Sequence, residues 1–535
     1  MPVDIEELPI PPEANQWPAT EPSPSYLCDL VHRLLARLDP LHRLRIAALV
    51  RSFGGTPFRI ATACSGTELP MLVWRAVATA ISVSLSVVFH VGHAYSCEKH
   101  PGKRKLIQTL FDDLPRMFGD AARLGHDMAH DYQRDEMAPI PAAECLIAGF
   151  PCTDASGLNK HSWSQENSGC IASSSMRTGA AFAGLRAYAE RHASTLRFLV
   201  FENVVNLARG SKSSGTSNLD DAVGLLRAAG YHTKVWVLCP SYFGVPQRRR
   251  RLWFPAVPSS LLDELGLTPQ KADEFLSMIM CSFVGCQQHS LDRYLLDEQD
   301  DLVQAYYQQL REQAASSSRT SNKCLPKWPE QHAQLQPDGD WWLSHAPDPS
   351  TLAAFPGLLA LSDREFDILG FGGVSEFPER GITRVVEVSQ SASRLARAHS
   401  DCPALITPSG RKYVTSRCRL LLGLEELRLQ SIVYPPHQER ILRDIRLNTL
   451  TGDLAGNAME GSCCVAVILA CLTLLSTGME VSMVPPSPSK CVEADSDEEM
   501  DEDIMAIWKP RLSRWVAPNE VDNASASSSS KASHI

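Results

Sequence analysis

The chain has 535 residues, enough for roughly two to four domains, and its 44% hydrophobic content is ordinary for a globular protein. The net charge of −10 does not exclude a nucleic-acid partner, because eight acidic residues lie within 493–503 and the remainder is close to −2; a near-neutral body can carry a local basic groove. Sixteen irregularly spaced cysteines and an acidic, Pro-rich start argue against a disulfide framework and against secretion, and point to a reduced intracellular protein. The apolar run 463–475 is too short for a membrane span and reads as a buried helix.

In chain order, residues 1–25 are Pro- and Glu-rich and read as extended. Leu27, Leu30, Val31, Leu34, Leu35 and Leu38 then recur at helical spacing, Pro40 interrupts them, and a second helix follows to about Phe53. Residues 1–55 form an N-terminal helical extension in this reading. From residue 56, short apolar or β-branched segments (58–63, 87–95, 145–149, 198–201, 233–238) alternate with helical patterns at 69–80, 103–110, 180–191 and 219–229. That alternation predicts an α/β fold with a doubly wound, mostly parallel sheet, whose ligands bind beyond the carboxyl ends of the strands. The pattern fades over 258–412, where Gln, Ser and Pro rise and AASSSRTSN (314–322) reads as a linker, so a smaller inserted domain is expected there. It returns over 413–478, with a helix expected at 419–430, and the first core is completed there. Residues 479–535 are acidic and Ser-rich and expected to be disordered.

Chemistry-bearing residues cluster at the expected strand ends. Cys152 follows the run Cys145-Leu146-Ile147-Ala148 and is stiffened by Gly149 and Pro151, a setting suited to an exposed nucleophilic thiolate. Ser65-Gly66 occupies a strand-to-helix turn open to close ligand approach, and Glu98 ends the next strand, where nucleoside-binding folds hold ribose hydroxyls. Glu202 ends an apolar strand, which favours a raised carboxyl pKa. Alternation along Arg248–Arg249–Arg250–Arg251 would send alternate guanidinium groups inward and outward. No P-loop and no complete dinucleotide fingerprint occurs, which disfavours ATP and NAD. No paired Cys-x-x-Cys unit occurs either; Cys281, Cys286 and His289 lack a completing pair, so no metal is expected.

AGFPCTDASG (148–157), FENV (201–204) and FGVPQRRRRLWF (243–254) resemble the ordered motifs of the DNA cytosine-5 methyltransferases. ACSGTE (63–68), Glu98, Asp120 in MFGDAARL, RCRLLLGLEELRLQ (417–430) and GNAM (456–459) resemble further motifs of that family, in family order, so the likeness covers about 56–257 and 413–476. The resemblance implies a Rossmann-like S-adenosylmethionine-dependent methyltransferase domain (56–257 and 413–478) with a target-recognition domain at 258–412. It implies Cys152 as nucleophile towards carbon 6 of cytosine, Glu202 as the acid at ring nitrogen 3, and Arg251 with Arg249 at the 2-keto oxygen. S-adenosyl-L-methionine would lie against Ser65, Gly66, Leu69, Glu98, Lys99, Asp120, Asn457 and Met459. The implied partner is double-stranded DNA with its target cytosine flipped out, and the implied location in a eukaryote is the nucleus. A mobile loop is expected over 159–178.

The sequence departs from the family at Glu68, where Gly is frequent, at Thr153, where Gln is common, and at Ile432-Val433-Tyr434-Pro435, which replaces Gly-Phe-Pro. A tRNA-methylating branch shares the fold and mechanism, but its Cys-Phe-Thr tripeptide is missing here. A catalytically silent chromatin scaffold is the other alternative, and intact Cys152, Glu202 and Arg251 argue against it.

Overall fold

Residues with apolar side chains on both faces build the centre of a mixed sheet. The computed structural model describes residues 3–481 except 10–11, 13–15, 19–21, 156–168, 173–176, 211–215, 317–327, 336–346, 375, 380–382 and 393–405, and gives the backbone alone at 328 and 333–335. The expected acidic tail and most of the expected mobile loop lie outside the described residues. In chain order the strands of the large sheet are β1 (Glu6–Glu7), β2 (Phe58–Ala63), β3 (Val91–Cys97), β4 (Met117–Phe118), β5 (Met128–Asp131), β6 (Glu136–Pro139), β7 (Cys145–Ala148), β8 (Phe198–Val204), β9 (Tyr231–Thr233), β10 (Trp236–Leu238) and β11 (Arg251–Pro258). They lie in the order β1-β10-β11-β8-β7-β2-β3-β4-β5-β6, with β9 also paired to β11.

From β8 through β7, β2 and β3 to β4 all pairs are parallel. Helices cover both faces of this region, which is why β7 is buried at every position and carries no polar alternation. Phe58, Trp74 and Phe198 pack together beneath helix Leu69–Leu85 on one face. Phe150, Phe182, Phe201 and Phe254 form the cluster on the other face, beneath helix Arg177–Arg191. Phe198 and Phe201 differ in parity along one strand and so project to opposite faces.

The N-terminal helices Tyr26–Arg37 and Pro40–Ser52 join the first helical layer as expected, packing on Leu69–Leu85 and Gly461–Leu475. Helix Gly461–Leu475 is buried at every residue; it is apolar and, with its last turn, long enough to cross a membrane, but it sits inside the protein core.

Several expectations shift. The second strand begins at Val91 rather than 87, because Val87 and Phe89 are buried against the aromatic cluster outside the ladder. The expected strand 233–238 is two short strands, and both run antiparallel to β11, which the sequence reading did not identify as a strand. Residues 3–7, expected as plain extended chain, contribute β1 to the sheet edge.

The region expected as a separate domain at 258–412 does not separate at those limits. Helix Pro269–Phe283 packs against Gly461–Leu475 in the main core. A second core of Leu358, Ile368, Leu369, Val386, Tyr413 and Leu420 surrounds a small antiparallel sheet of β12 (Val385–Glu387), β13 (Lys412–Val414) and β14 (Arg419–Leu420). Strand β13 therefore straddles the expected boundary at 412, and Arg419 and Leu420 are strand, with the helix confined to Gly423–Leu429.

A buried ion pair ties the small sheet to helix Gly423–Leu429. Arg419 and Glu425, both fully buried, meet at 2.7 Å, and Arg419 Nε also donates to Glu298 at 3.0 Å. The same Glu425 carboxylate accepts the Leu296 and Leu422 amides, each at 2.8 Å. Glu425→Ala would remove the carboxylate that faces both terminal nitrogens of the buried Arg419, leaving it Glu298 alone as a carboxylate partner, and would strip two buried amides of their acceptor, so urea unfolding should show a loss of about 3–5 kcal/mol.

Candidate active site

The site lies on the rim where the parallel strands end. Strand β7 delivers Gly149, Phe150, Pro151 and Cys152, and Cys152 remains partly exposed. Asn203 Nδ2 donates to the Phe150 carbonyl at 3.1 Å, which holds the chain just before the thiol. Asp154 accepts the Thr178 amide at 2.9 Å and ties the far side of the cysteine turn to the next helix.

Strand β11 runs opposite to β8, so its first residues lie beside the last residues of β8. Trp253 pairs with Glu202 and Arg251 with Val204. Residues 249, 251 and 253 share parity, which brings Arg251 to the face of Glu202: its Nε lies 3.2 Å from Glu202 Oε1. This is an ion pair without hydrogen-bond alignment, and Oε1 has no hydrogen-bond partner among the described residues. The expected alternation of the arginines is present: Arg248 and Arg250 are exposed, Arg249 is buried, and Arg250 pairs with Glu7.

Arg249 differs from the expectation of a substrate contact. Its Nη1 donates to the carbonyls of Ile406 at 2.6 Å and Gly456 at 3.2 Å, and its Nη2 to Gly456 at 3.2 Å and Ala458 at 2.7 Å. Both terminal nitrogens are thereby committed to main chain, and the guanidinium clamps the GNAM segment to the rim. Gly456 is fitted to this clamp, since a Cβ there would fall 2.1 Å from the Pro408 nitrogen.

Burial raises the Glu202 pKa above the usual carboxylate value, and the charges of Arg251 and Arg249 only partly oppose it. Burial also raises the Cys152 pKa; the Glu202 carboxylate adds to this, and the two arginines work against it. Burial, reinforced by neighbouring Arg251, pushes the Arg249 pKa down. A thiol, a protonatable carboxyl and a cation therefore share one low-dielectric pocket and set one another's protonation.

The second half of the site is built on the ends of β2 and β3. Gly66 (φ 52°) begins a left-handed turn whose amide donates to Glu98 Oε2 at 3.0 Å, while Glu98 Oε1 accepts the His100 amide at 2.8 Å. A Cβ on Gly66 would meet only Cys64 O at 3.9 Å and Leu454 Cδ2 at 4.0 Å, so open space faces the turn. Ser65 is buried beside it, and Leu69 underlies it with no exposure. Lys99 pairs with Asp120 at 2.8 Å; burial works against the Asp120 carboxylate, but Lys99 and the Ala122 amide outweigh it and hold its pKa below the usual range. Met459 approaches Glu202 across Gly149, where a Cβ would lie 3.2 Å from Met459 Cγ and 3.4 Å from Glu202 Oε2. Asn457 is exposed and turns its amide back to Asp453. Lys103 pairs with Asp453 at 2.8 Å and joins the two walls.

From the sequence, Asn203 stood at the strand end beside Glu202 with no role of its own, and Lys103 was not singled out. Adjacency to Glu202 within FENV was the available signal for Asn203; for Lys103 the partner is hundreds of residues away and no local signal existed. With the Glu98 and Asp120 carboxylates beside the turn and Lys99 already paired, the cradle suits a nucleoside or a cationic ligand better than a phosphate.

The family model described as C-5 cytosine-specific DNA methylase matches residues 123–338. The chain is similar to DNA (cytosine-5-)-methyltransferase DMT5 of Cryptococcus neoformans var. grubii, with 26% identity over 445 residues, 80% of this chain and 17% of that protein. It is also similar to the protein of the same name from Verticillium dahliae, with 31% identity over 110 residues, 20% of this chain and 5% of that one. The chain thus spans less than a fifth of the length of these relatives. Among solved structures, the S. pombe Dnmt2 methyltransferase has a TM-score of 0.36 and 11% identity, covering 78% of this chain and 98% of its own. The Entamoeba histolytica methyltransferase EhMeth has a TM-score of 0.37 and 8% identity, with the same coverage.

The shared pocket has a measurable electrostatic consequence. The Cys152 pKa lies above the ordinary 9.0 in part because the Glu202 carboxylate disfavours the thiolate. Glu202→Gln removes that charge, so the pH at which iodoacetamide alkylates Cys152 at half-maximal rate, followed by peptide mass spectrometry, should move down. An unchanged or rising midpoint would show that Glu202 does not act on the thiol.

Proposed function

We propose that this chain, whose residues 123–338 match the family model described as C-5 cytosine-specific DNA methylase, transfers a methyl group from S-adenosylmethionine to carbon 5 of cytosine in DNA through a covalent Cys152 adduct. The observation that carries this reading is the convergence of Cys152, Glu202 and Arg251 on one rim, in one electrostatically coupled pocket.

Cytosine carbon 5 is a weak nucleophile. Cys152, after losing its proton to solvent, adds through Sγ as thiolate to carbon 6 and makes carbon 5 enamine-like. Negative charge then develops towards ring nitrogen 3, where Glu202, its pKa raised by burial, supplies a proton. Arg251 holds Glu202 and meets the 2-keto oxygen; Arg249 positions the surrounding main chain instead of touching the base. Ser65, Gly66, Leu69, Glu98, Lys99, Asp120 and Met459 would hold S-adenosylmethionine, with Asn457 at the edge of that set. When bound, this cofactor supplies an electrophilic methyl group on sulfur. Loss of the carbon 5 proton to solvent, departure of Cys152 Sγ as thiolate and return of the ring nitrogen 3 proton to Glu202 complete the reaction. A base inside a duplex is out of reach of a thiol on such a rim, so the target is flipped out. Residues 258–412, with the small sheet at their end, select the target, and the DNA reading implies a nuclear location in a eukaryotic cell.

A duplex containing 5-fluorocytosine tests the mechanism, because fluorine cannot leave as a cation and the adduct cannot resolve. Wild-type protein with S-adenosylmethionine should give a denaturation-resistant protein–DNA species, and Cys152→Ala should give none. Trapping on fluorinated RNA alone would move the substrate to RNA; no trapping on either would remove the covalent mechanism. In the same assay series, Glu202→Gln should lower turnover by about 10²–10⁴-fold, the usual contribution of acid–base help.

A further inference from the structure

Glu68 is wholly buried and sits in the left-handed region at φ 56°. Burial disfavours its charge, and the backbone conformation favours glycine over any L side chain. Its neighbours show what holds it there. Thr62 Oγ1 donates to Glu68 Oε1 at 2.6 Å and Ser96 Oγ donates to Oε2 at 2.7 Å, while His93 Nε2 stands 3.3 Å from Oε1. Burial works to raise the Glu68 pKa, but His93, Thr62 and Ser96 outweigh it and keep the group a carboxylate.

An ionised carboxylate only accepts hydrogen bonds, so it fixes the direction of every hydroxyl it meets. Thr62 and Ser96 both spend their protons on Glu68. The Ser96 oxygen, 3.0 Å from His93 Nε2, is then an acceptor, so that nitrogen carries hydrogen. The Thr62 oxygen faces Ser65 Oγ at 2.8 Å, and Ser65 Oγ takes the Cys97 amide at 3.3 Å. The next amide, that of Gly66, runs to Glu98. A hydrogen-bond chain thus passes from His93 through Glu68 to Ser65, and the backbone carries it one residue on to Gly66, whose amide meets Glu98, across the ends of two neighbouring parallel strands.

We infer that Glu68, oriented by His93, is the positioning residue for the cofactor turn: it locks Ser65 and Gly66 against Glu98 and so sets affinity for the nucleoside part of S-adenosylmethionine without touching the reacting atoms. This rests on the cofactor reading above.

Glu68→Gly separates this role from a merely structural one, because the two have opposite signs. The backbone conformation is relieved by glycine, whereas the network loses its shared acceptor. Titration calorimetry of the full 535-residue chain with S-adenosylhomocysteine is the readout. Glu68→Gly and Glu68→Ala should weaken binding about 10- to 100-fold, the scale of one or two buried hydrogen-bonding groups left unanswered. Glu68→Gln, which keeps the volume and can be met by turning one hydroxyl, should stay within about threefold. In methylation assays KM for S-adenosylmethionine should rise in step while kcat at saturation changes less than about twofold, as expected for loss of uniform binding. Val73→Ala, a fully buried change on the following helix that takes no part in these hydrogen bonds, controls for general destabilisation and should leave the dissociation constant unchanged. Wild-type affinity in Glu68→Gly, or an equal loss in Val73→Ala, would overturn the role of Glu68 alone. Absence of binding by the wild-type chain would overturn the cofactor reading together with it.

Discussion

The antiparallel insertion of β11 beside β8 is the constraint on which the site depends. A sixth parallel strand would have carried its amino end to the far side of the sheet, and the arginines before it would have lain there. Reversing the direction places Arg251 beside Val204 and, two residues on, Trp253 beside Glu202. Strand parity then does the rest: Arg251 reaches Glu202, Arg250 turns away to Glu7, and Arg249 enters the interior. Moving the register by one residue would exchange these faces and dismantle the pocket.

Arg249 extends that constraint into the rest of the chain. By donating to carbonyls at Ile406, Gly456 and Ala458, it holds together segments that arrive from widely separated parts of the sequence. Ala458 is followed by Met459, which presses on Gly149 between Glu202 and the cysteine turn. Glu460 then caps helix Gly461–Leu475 by accepting from Ser462 and Cys463. One buried guanidinium therefore connects the rim, the GNAM segment and the most apolar helix of the core. Arginine suits this task because its planar fork offers several fixed donors to several carbonyls at once.

The molecule places several charges where water does not reach, and each is met by specific partners. Glu68 has two hydroxyls and an imidazole, Arg419 has Glu425 and Glu298, and Lys412 has Glu426 at 3.0 Å. Glu202 differs in its geometry: its ion pair with Arg251 is misaligned for a hydrogen bond, its Oε1 has no hydrogen-bond partner among the described residues, and burial raises its pKa. A carboxyl that is incompletely satisfied in the resting protein is free to change its protonation and its partners, which is what the proposed acid must do. The satisfied charges, by contrast, define geometry.

The chain by itself determined the parallel centre of the sheet and the rim residues that follow its strands. Runs such as Cys145–Ala148 and Phe58–Ala63 are apolar, short and closed by turn residues, and the helical spacing of 26–53 is equally local; such signals survive without knowledge of the partner. The motif residues Cys152, Glu202 and Arg251 were legible for the same reason, each lying beside a readable strand or within a compact motif. What only the tertiary structure decided has partners far off in sequence. Arg419 and Leu420 carry a helical pattern, yet they pair as a strand with Lys412–Val414, because that pairing buries Tyr413 and Leu420 in a second core. Arg249 and Arg251 are indistinguishable in a run of four arginines; the carbonyls of residues 406, 456 and 458 separate a clamp from the arginine that reaches Glu202. Glu68 looked like a departure from a glycine pattern, and its meaning rests on His93 and Ser96 arriving from the neighbouring strand. Local spacing fixes which elements form, but the direction of a strand, the partner of a buried charge and the limits of an inserted domain depend on contacts that exist only once the chain is folded.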